Sequence, residues 1–468
     1  MRPRVPPFVA WISRLFLLGV SLLCLAYVAF LFAGRLNAYT VPGRFLMLLA
    51  PFAGAVAFGY IAVRIGPRGV VRVARELVLF GATLLAVETA IAIWSPDTPS
   101  AQLTRLRVAH KLGLPFDRRT KTEVTQELRD RGVDALPGIS REWPQISAVR
   151  QQLPAQLYPL SDASNASIVE CNETGKYLVF HSDEFGFNNP PGLIASGHVD
   201  VAAVGASFTL GHCQAPEVTL IGRLRKIYPR LANFGIAGGG TLAMLGSFRE
   251  YVEPLRPPLV LWIMHPRTAD TRDELQDPIL ARYLDPGFSQ HLMERSQEID
   301  RVWRDIAVPA QYELDRRSRV VIREANDRRF ARIPFLAQLR TRVDLDAPLR
   351  RPPPPVPLTT FIHSLQLVDA RTRSWGGRLV VVIMPLYAEV VAHQLPPELQ
   401  HDHLASVVAG LGIPVIDAAA EFARQDDPAH LYTMRVNNHP NPEGYRVLAQ
   451  FVAGQLAQRS AAAAAAAR

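Results

Sequence analysis

Cysteine is scarce in this sequence, since only three of its 468 residues are cysteine. Cys24 lies within a long apolar run, which leaves Cys171 and Cys213 for the rest of the chain. So few cysteines exclude a disulfide-rich scaffold and a four-cysteine zinc module. In an oxidising compartment Cys171 and Cys213 would pair and tie the segment before residue 200 to the helix predicted after Ser207. The alternative is that they are two separate buried side chains.

The sequence also lacks several ligand-binding signatures. No group of histidine, cysteine and acidic residues has metal-ligand spacing, and no glycine-rich phosphate-binding loop precedes a lysine. We therefore predict neither a metal ion nor a cofactor. The formal net charge is +9, but it comes from scattered arginines, and no nucleic-acid-binding module is recognisable. We interpret this charge as compositional bias rather than as a surface for anionic lipid or polyanionic sugar, and we predict no nucleic-acid partner.

Charged residues are almost absent from three long apolar runs near the N-terminus. These runs cover residues 15–34, 45–63 and 77–94, and they contain 20, 19 and 18 residues. Each is long enough to cross the hydrocarbon layer as a helix, and the first is too long for the core of a signal peptide. Glu88 is the only charged residue in them, and we expect its side chain to reach the membrane interface. Residues 1–96 are therefore predicted to form a membrane domain with three transmembrane helices.

The arginines around these runs predict the orientation of the helices. Three precede the first run and four lie between the second and third, whereas two lie between the first and second. These residues are Arg2, Arg4 and Arg14, then Arg64, Arg68, Arg72 and Arg75, and then Arg35 and Arg44. Because positive charge is retained in the cytoplasm, the N-terminus is predicted to be cytoplasmic. Three spans then place the remainder of the chain outside the cytoplasm.

From about residue 200, short apolar strands alternate with amphipathic helices. The segments VDVAAVGAS, LANFGIAGGGT, PPLVLWIMH and RLVVVIMP are near-continuous apolar strands. This alternation favours an α/β fold, a three-layer α/β/α sandwich whose parallel sheet is covered on both faces. We predict this domain over residues 181–456, with a helical insertion at about 275–360. Residues 97–180 are predicted to be a juxtamembrane linker region, and residues 457–468 a low-complexity tail that frays.

Three residues lie where active sites of open α/β sheets gather, at or near the carboxyl ends of strands. Ser207 follows the first strand and begins a helix, so it is either a nucleophile beside free backbone N–H groups or an ordinary helix cap. Gly238 follows the second strand, where its backbone N–H can approach a carbonyl, although a left-handed turn alone would also explain it. His439, in NNHPNPEGY, is a candidate base for the serine proton or simply a turn residue.

At these three places the sequence resembles the SGNH, or GDSL, hydrolase superfamily, in particular its membrane-anchored bacterial members. The matching positions are Gly205 and Ser207 of GASFTLG, Gly238 of NFGIAGGG and His439 of HPNPEGY. The resemblance spans residues 180 to 455. It implies a flavodoxin-like fold, with the backbone N–H groups of Ser207 and Gly238 as the oxyanion hole and His439 as the base.

The sequence departs from the family pattern around the oxyanion hole. Where the family has the aspartate of its G-D-S motif, this chain has Ala206. The third block usually reads G-x-N-D, whereas this chain has HPRTAD, in which Thr268 is nearest to the asparagine. Losing one side-chain donor of an oxyanion hole typically lowers the rate by about 10²- to 10³-fold, which weakens an enzyme without abolishing it. In the same segment, His265, together with Arg267, is a candidate for lining the substrate pocket.

The family's aspartate before the histidine is also missing, because Val436 and Asn437 stand there. The amide oxygen of Asn437 or a backbone carbonyl would then orient His439 in a Ser–His dyad. The resemblance implies a bacterial inner-membrane protein whose periplasmic domain is an esterase or O-acyltransferase. Its substrate would be an acyl ester of a cell-envelope polysaccharide or lipid. The altered positions motivate the alternative, a catalytically degenerate relative that binds a glycan or a protein partner in envelope assembly.

Overall fold

The computed structural model describes residues 5–94, 101–331, 354–436 and 439–466, together with residues 333, 336, 339, 340, 350 and 351. The chain divides into two compact units. The first comprises residues 1–99 and 320–354, and the second comprises residues 100–319 and 355–468.

Three long apolar helices make up most of the first unit. They are α1 Pro7–Phe30, α2 Val41–Arg64 and α3 Pro67–Trp94. Their most apolar 18-residue windows have mean hydropathies of 2.6, 2.1 and 1.9, and only 11% of each window is buried. Outward-facing apolar side chains would be unfavourable in water and are favourable in lipid. The prediction of three helices that are long and apolar enough to cross a membrane is confirmed.

Glu88 of α3 differs from our expectation that it reaches the membrane interface. Its side chain is fully buried, and its Oε2 accepts a hydrogen bond of 2.7 Å from the backbone N–H of Leu339, which belongs to the same unit. A carboxylate inside an apolar helix bundle needs donors of this kind, because unpaired burial of a polar group is costly.

The second unit contains two sheets. The small sheet consists of β1 Ala135–Pro137, β2 Ser167–Val169 and β3 Val179–His181. The large sheet consists of β4 Val201–Gly205, β5 Leu231–Gly235, β6 Leu259–Met264, β7 Arg378–Ile383 and β8 Val415–Asp417. The other α-helices among the described residues are α4 Ala101–Lys111, α5 Lys121–Asp130, α6 Trp143–Arg150, α7 Ser207–Leu210, α8 Leu220–Leu224, α9 Thr241–Ser247, α10 Pro278–Arg282, α11 Ser296–Ala331, α12 Thr359–Ser374, α13 Tyr387–Val390, α14 His401–Gly410, α15 Ala418–Ala423 and α16 Pro442–Ala466.

The large sheet is parallel throughout, with strand order β5-β4-β6-β7-β8. Alternate residues of β4 face opposite sides. Ala202 and Val204 enter one apolar cluster with α9, α12 and α14, whereas Val201 and Ala203 enter a second cluster with α8, α15 and α16. Burial on both faces explains why these strands read as continuous apolar runs. The predicted α/β fold with a parallel sheet is therefore present in the described part of the chain.

The regions that flank this sheet are more ordered than the sequence suggested. Residues 97–180 were predicted to be a juxtamembrane linker region. Of these, residues 101–180 are described, and together with His181 they contain α4 to α6 and the small sheet. Leu136 of β1 and Ile168 of β2 enter the same apolar cluster as Ala202. The alanine-rich tail, expected to fray, continues α16 to Ala466. Within the expected insertion at 275–360, the structure has α10 and α11.

Candidate active site

Ser207 lies where the order of the large sheet reverses, because the chain leaves β4 towards β5 on one side and later returns as β6 on the other. The turn that exposes it requires glycine at position 205. A Cβ on Gly205 would overlap the side chain of Thr209 and the backbone oxygen of Ile263. Ser207 then begins α7, and its side-chain Oγ lies 2.8 Å from Nε2 of His439.

His439 is held in a turn just before α16. Its backbone oxygen accepts a hydrogen bond from the N–H of Thr433, and Pro440 forms a β-bridge with Tyr432. Two residues later, the side chain of Asn441 accepts hydrogen bonds from the backbone N–H groups at positions 443 and 444, which caps the first turn of α16. Residues 439–445 therefore fold as a fixed turn, with the imidazole ring directed at Ser207.

A carboxylate that sequence reasoning missed lies on the other side of the ring. Nδ1 of His439 is 2.8 Å from Oε2 of Glu173, in the loop between β2 and β3, and Nη2 of Arg105 is 2.6 Å from Oε1 of the same carboxylate. Burial alone would raise the pKa of Glu173. The charge and hydrogen bond of His439, together with Arg105, overcome burial and lower that pKa to about 2. Glu173 is therefore ionised at neutral pH.

Ser207, His439 and Glu173 thus form one chain of hydrogen bonds in which both links are 2.8 Å long. This is the arrangement of a nucleophile, a base and a group that orients the base. It differs from the dyad expected from the sequence, since Glu173 occupies the orienting role that we assigned to Asn437 or a backbone carbonyl. Asn437 itself lies outside the described residues.

A disulfide joins Cys171 and Cys213, whose Cα atoms are 5.3 Å apart. The sequence left open whether these cysteines pair or are two separate buried side chains, and the structure contains the disulfide. Cys171 is two residues before Glu173, and Cys213 is six residues after Ser207. The cross-link therefore ties the loop that carries the carboxylate to the segment that follows the nucleophile. This pairing was the only sequence signal that could have pointed to Glu173.

Two backbone N–H groups are available as oxyanion donors. Among the described residues, no hydrogen bond uses the N–H of Ser207 or of Gly238. Gly238 has a φ of +70°, and a Cβ there would overlap the side chain of Ser140 and the backbone nitrogen of Glu142. Only glycine therefore fits this turn, and both residues line the same cavity.

The glycine turn is held by the half-buried carboxyl group of Glu274. Its two oxygens accept hydrogen bonds of 2.8 to 3.1 Å from the backbone N–H groups of Gly240, Leu242 and Ala243 at the start of α9. Accepting three N–H groups at a helix N-terminus is a common way to satisfy donors that have no partner within the helix. Glu274 therefore fixes the turn that carries Gly238.

Thr268, the residue nearest to the family's asparagine, lines the cavity, but its hydroxyl hydrogen is already used in a hydrogen bond to the backbone. The hydroxyl donates a 2.7 Å hydrogen bond to the backbone oxygen of His265. His265 itself lines the cavity, and its Nδ1 is buried without a partner among the described residues. Burial, followed by the charges of His439 and Arg267, lowers the pKa of His265 to about 3. The His265 ring is therefore neutral at physiological pH.

These groups surround one cavity of about 600 Å³. Polar and charged side chains line much of it. The lining residues include Ser207, Gly238, His265, Thr268, His439 and Glu173. Its position at the carboxyl ends of β4 and β6 is where open α/β sheets bind ligands.

No protein-family model matches the chain, and a search of curated proteins found no match either.

Proposed function

We propose that this protein is a membrane-anchored serine esterase or O-acyltransferase of the SGNH type, with Ser207, His439 and Glu173 as its catalytic residues. The observation that carries the proposal is the continuous hydrogen-bond chain from Ser207 through His439 to Glu173 at the wall of a cavity. Isolated serines at helix starts are common caps, but a serine linked to a histidine that a buried carboxylate orients has the geometry of an activated nucleophile.

In the first step, Oγ of Ser207 attacks the ester carbonyl carbon while Nε2 of His439 takes the hydroxyl proton. Glu173 stabilises the imidazolium that forms, because its carboxylate faces the N–H at Nδ1. The carbonyl oxygen becomes an oxyanion held by the N–H groups of Ser207 and Gly238.

When the tetrahedral intermediate collapses, the bond to the leaving alcohol breaks and His439 returns its proton to that alcohol. The acyl group is then attached to Ser207. Water attacks this acyl-enzyme in an esterase, and a sugar hydroxyl attacks it in an acyltransferase, with His439 again accepting the proton. The bond between the acyl group and Oγ of Ser207 then breaks, and His439 returns the proton to Oγ.

The strand order supports assignment to the SGNH type. Numbered along the chain within the large sheet, it is 2-1-3-4-5, the order of flavodoxin-like sheets. Ser207 and Gly238 follow the first two of these strands, as the resemblance implies. Glu173 is the departure, because it comes from a loop before the first strand rather than from the residues just before the histidine.

We further propose that the substrate is an acyl ester of a cell-envelope polysaccharide or lipid. The polar and charged lining of the cavity suits a hydroxylated sugar better than an acyl chain alone.

The three apolar helices would anchor the chain in a bacterial inner membrane. The arginine distribution supports a cytoplasmic N-terminus and a periplasmic second unit. A reporter that is active only outside the cytoplasm should therefore be active when fused after residue 120 and silent when fused near residue 70; the reverse pattern would contradict this orientation.

The second candidate function is a non-catalytic protein that binds a glycan or a protein partner in envelope assembly. Two observations favour it: Ala206 replaces the motif aspartate, and the Thr268 hydroxyl is committed to the His265 carbonyl. The first removes the carboxylate of the motif, and the second leaves the Thr268 hydroxyl unable to donate in place of the family's asparagine.

Labelling with a fluorophosphonate probe separates the two candidates, because the probe reacts covalently only with an activated serine. We expect labelling of the wild-type protein and none of Ser207→Ala. Ser374→Ala is a control, since Ser374 lies at the exposed end of α12 and is not among the residues that line the cavity, and it should be labelled like the wild type. A wild-type protein that resists the probe would favour the binding protein.

A further inference from the structure

A second histidine–carboxylate pair lies beside the proposed catalytic residues and has no part in their mechanism. Nδ1 of His212 is 2.9 Å from Oε1 of Glu170, at ion-pair distance but outside hydrogen-bond geometry. Glu170 is 2% exposed, and its other oxygen, Oε2, has no hydrogen-bond partner among the described residues. The rings of His212 and His439 are 4.7 Å apart between centroids.

We propose that Glu173, His212 and His439 form a binding site for a zinc ion, and that zinc bound there inhibits the enzyme. One ligand atom from each of the three side chains lies within 4.8 Å of the other two. Two imidazole nitrogens and one carboxylate oxygen are a ligand set that zinc accepts, with a fourth position left for water. Zinc–ligand bonds of about 2.0–2.2 Å bring such atoms roughly 3–4 Å apart, so small side-chain rotations suffice.

The surroundings of the three residues resemble the second layer of contacts around metal sites. Histidines that bind metals usually have a carboxylate or carbonyl at their other ring nitrogen, which fixes the ring and makes it a better ligand. Glu170 takes this position at Nδ1 of His212, which leaves Nε2 for the ion. Ser207 takes it at Nε2 of His439, which leaves Nδ1 for the ion. Two carboxylates, Glu170 and Glu173, also give the site a negative charge that Arg105 offsets in part.

The disulfide brings the ligands together. Cys171 lies between Glu170 and Glu173 in the sequence, and Cys213 follows His212 directly. Both sulfur atoms are used in the cross-link, so they are not available as thiolate ligands even though they lie close to His212. The ions reach the site through the cavity, which Glu173, His212 and His439 all line.

Inhibition follows from the tautomer of His439 and rests on the proposed function. Catalysis needs a proton on Nδ1, facing Glu173, and a lone pair on Nε2 to accept the serine proton. Zinc needs the lone pair on Nδ1. When zinc binds, the imidazole proton therefore moves to Nε2, where it faces Ser207 and can no longer accept the hydroxyl proton. The number of protons on the ring is unchanged, but the nitrogen that faces the nucleophile now carries the proton and cannot act as the base.

Binding is tested by isothermal titration calorimetry of zinc chloride into the full-length, untagged Ser207→Ala protein in detergent, which removes any dependence on turnover. We expect the Ser207→Ala protein to bind one zinc ion. The double variant Ser207→Ala, His212→Gln should bind zinc with an affinity at least about tenfold lower. His401→Gln is the matched control, because His401 pairs with Asp417 at 2.7 Å away from the cavity and should leave zinc binding unchanged. No zinc binding, or binding unaffected by His212→Gln, would overturn the site.

Inhibition is tested with the wild-type protein and a short activated ester. Zinc should lower the rate of hydrolysis, and EDTA should restore it. Each variant's rate is compared with its own rate without zinc. The zinc concentration that halves this rate should be at least about tenfold higher for His212→Gln than for the wild type. Zinc that binds without changing a measurable rate would overturn the inhibitory role. Zinc that binds to a protein without any esterase activity would support the site and contradict the proposed function instead.

Discussion

The large sheet places Ser207 and Gly238 directly, because each follows the carboxyl end of a parallel strand, whereas the small sheet contributes Glu173 from a loop between β2 and β3. Neighbouring parallel strands end at the same edge, so the first two residues meet as a consequence of strand pairing. Glu173 has no such constraint. It depends on the Cys171–Cys213 cross-link, on Arg105 and on His439 for its position.

The two parts of the candidate site should therefore respond to different perturbations. Residues placed by strand ends remain in place as long as the sheet is folded. A residue placed by a loop and its attachments can move while the sheet stays intact, and its effect is transmitted through His439.

The greatest loss of activity is expected from substitution of Ser207 and His439, the proposed nucleophile and base. Ser207→Ala and His439→Ala should each lower kcat/KM for a short activated ester by about 10⁴- to 10⁶-fold, and the double variant should be no slower than either, because the two act as one unit. Steady-state hydrolysis measures this effect. Wild-type turnover equal to that of the variants would leave Ser207 as a cap and His439 as a turn residue.

Glu173→Gln tests whether the small sheet contributes to chemistry at all. The substitution keeps the size of the side chain and removes the charge that stabilises the imidazolium and its tautomer, so kcat should fall by about 10³- to 10⁴-fold with a smaller change in KM. Glu142→Gln is the control, since Glu142 lines the cavity without contacting His439. A change of less than threefold in Glu173→Gln would restore the dyad that the sequence suggested.

Removing the cross-link should have an intermediate effect. In the Cys171→Ser, Cys213→Ser variant the loop with Glu173 loses one attachment, and we expect activity to fall by about 10- to 100-fold. The free energy of unfolding should fall by about 2–4 kcal/mol, because the cross-link closes a 42-residue separation. Activity and thermal unfolding in detergent measure both effects, with Cys24→Ser as the control because Cys24 is a free thiol. Full activity without the disulfide would show that Arg105 and His439 alone position Glu173.

The smallest expected effect is that of Thr268→Val. Because the Thr268 hydroxyl donates to the His265 carbonyl, and that carbonyl also accepts the Thr268 backbone N–H, losing the hydroxyl should change kcat by less than about threefold. Steady-state kinetics at saturating ester concentration measures this. A loss of 10²-fold or more would show that Thr268 supplies the oxyanion donor of the family's asparagine after all.

Local patterns in the sequence were sufficient for the apolar helices and for the strands of the large sheet, since both depend on which neighbouring residues are apolar. The small sheet escaped prediction because its strands are three residues long, too short to show an alternating pattern. We predicted that Glu88 reaches the membrane interface because no donor for it is evident in the neighbouring sequence. Its partner, the N–H of Leu339, is 251 positions away.

The amino-acid sequence was enough to predict the three apolar helices, the alternation of strands and helices, and the turns that carry Ser207, Gly238 and His439. These features follow from hydropathy, strand length and the conformational freedom of glycine, which are properties of short segments. Only the tertiary structure decided which carboxylate faces His439, because Glu173 is 266 positions away from it and the two meet through folding alone. It also decided that the Thr268 hydroxyl bonds to the His265 carbonyl and that His212 approaches His439, since both depend on side-chain packing.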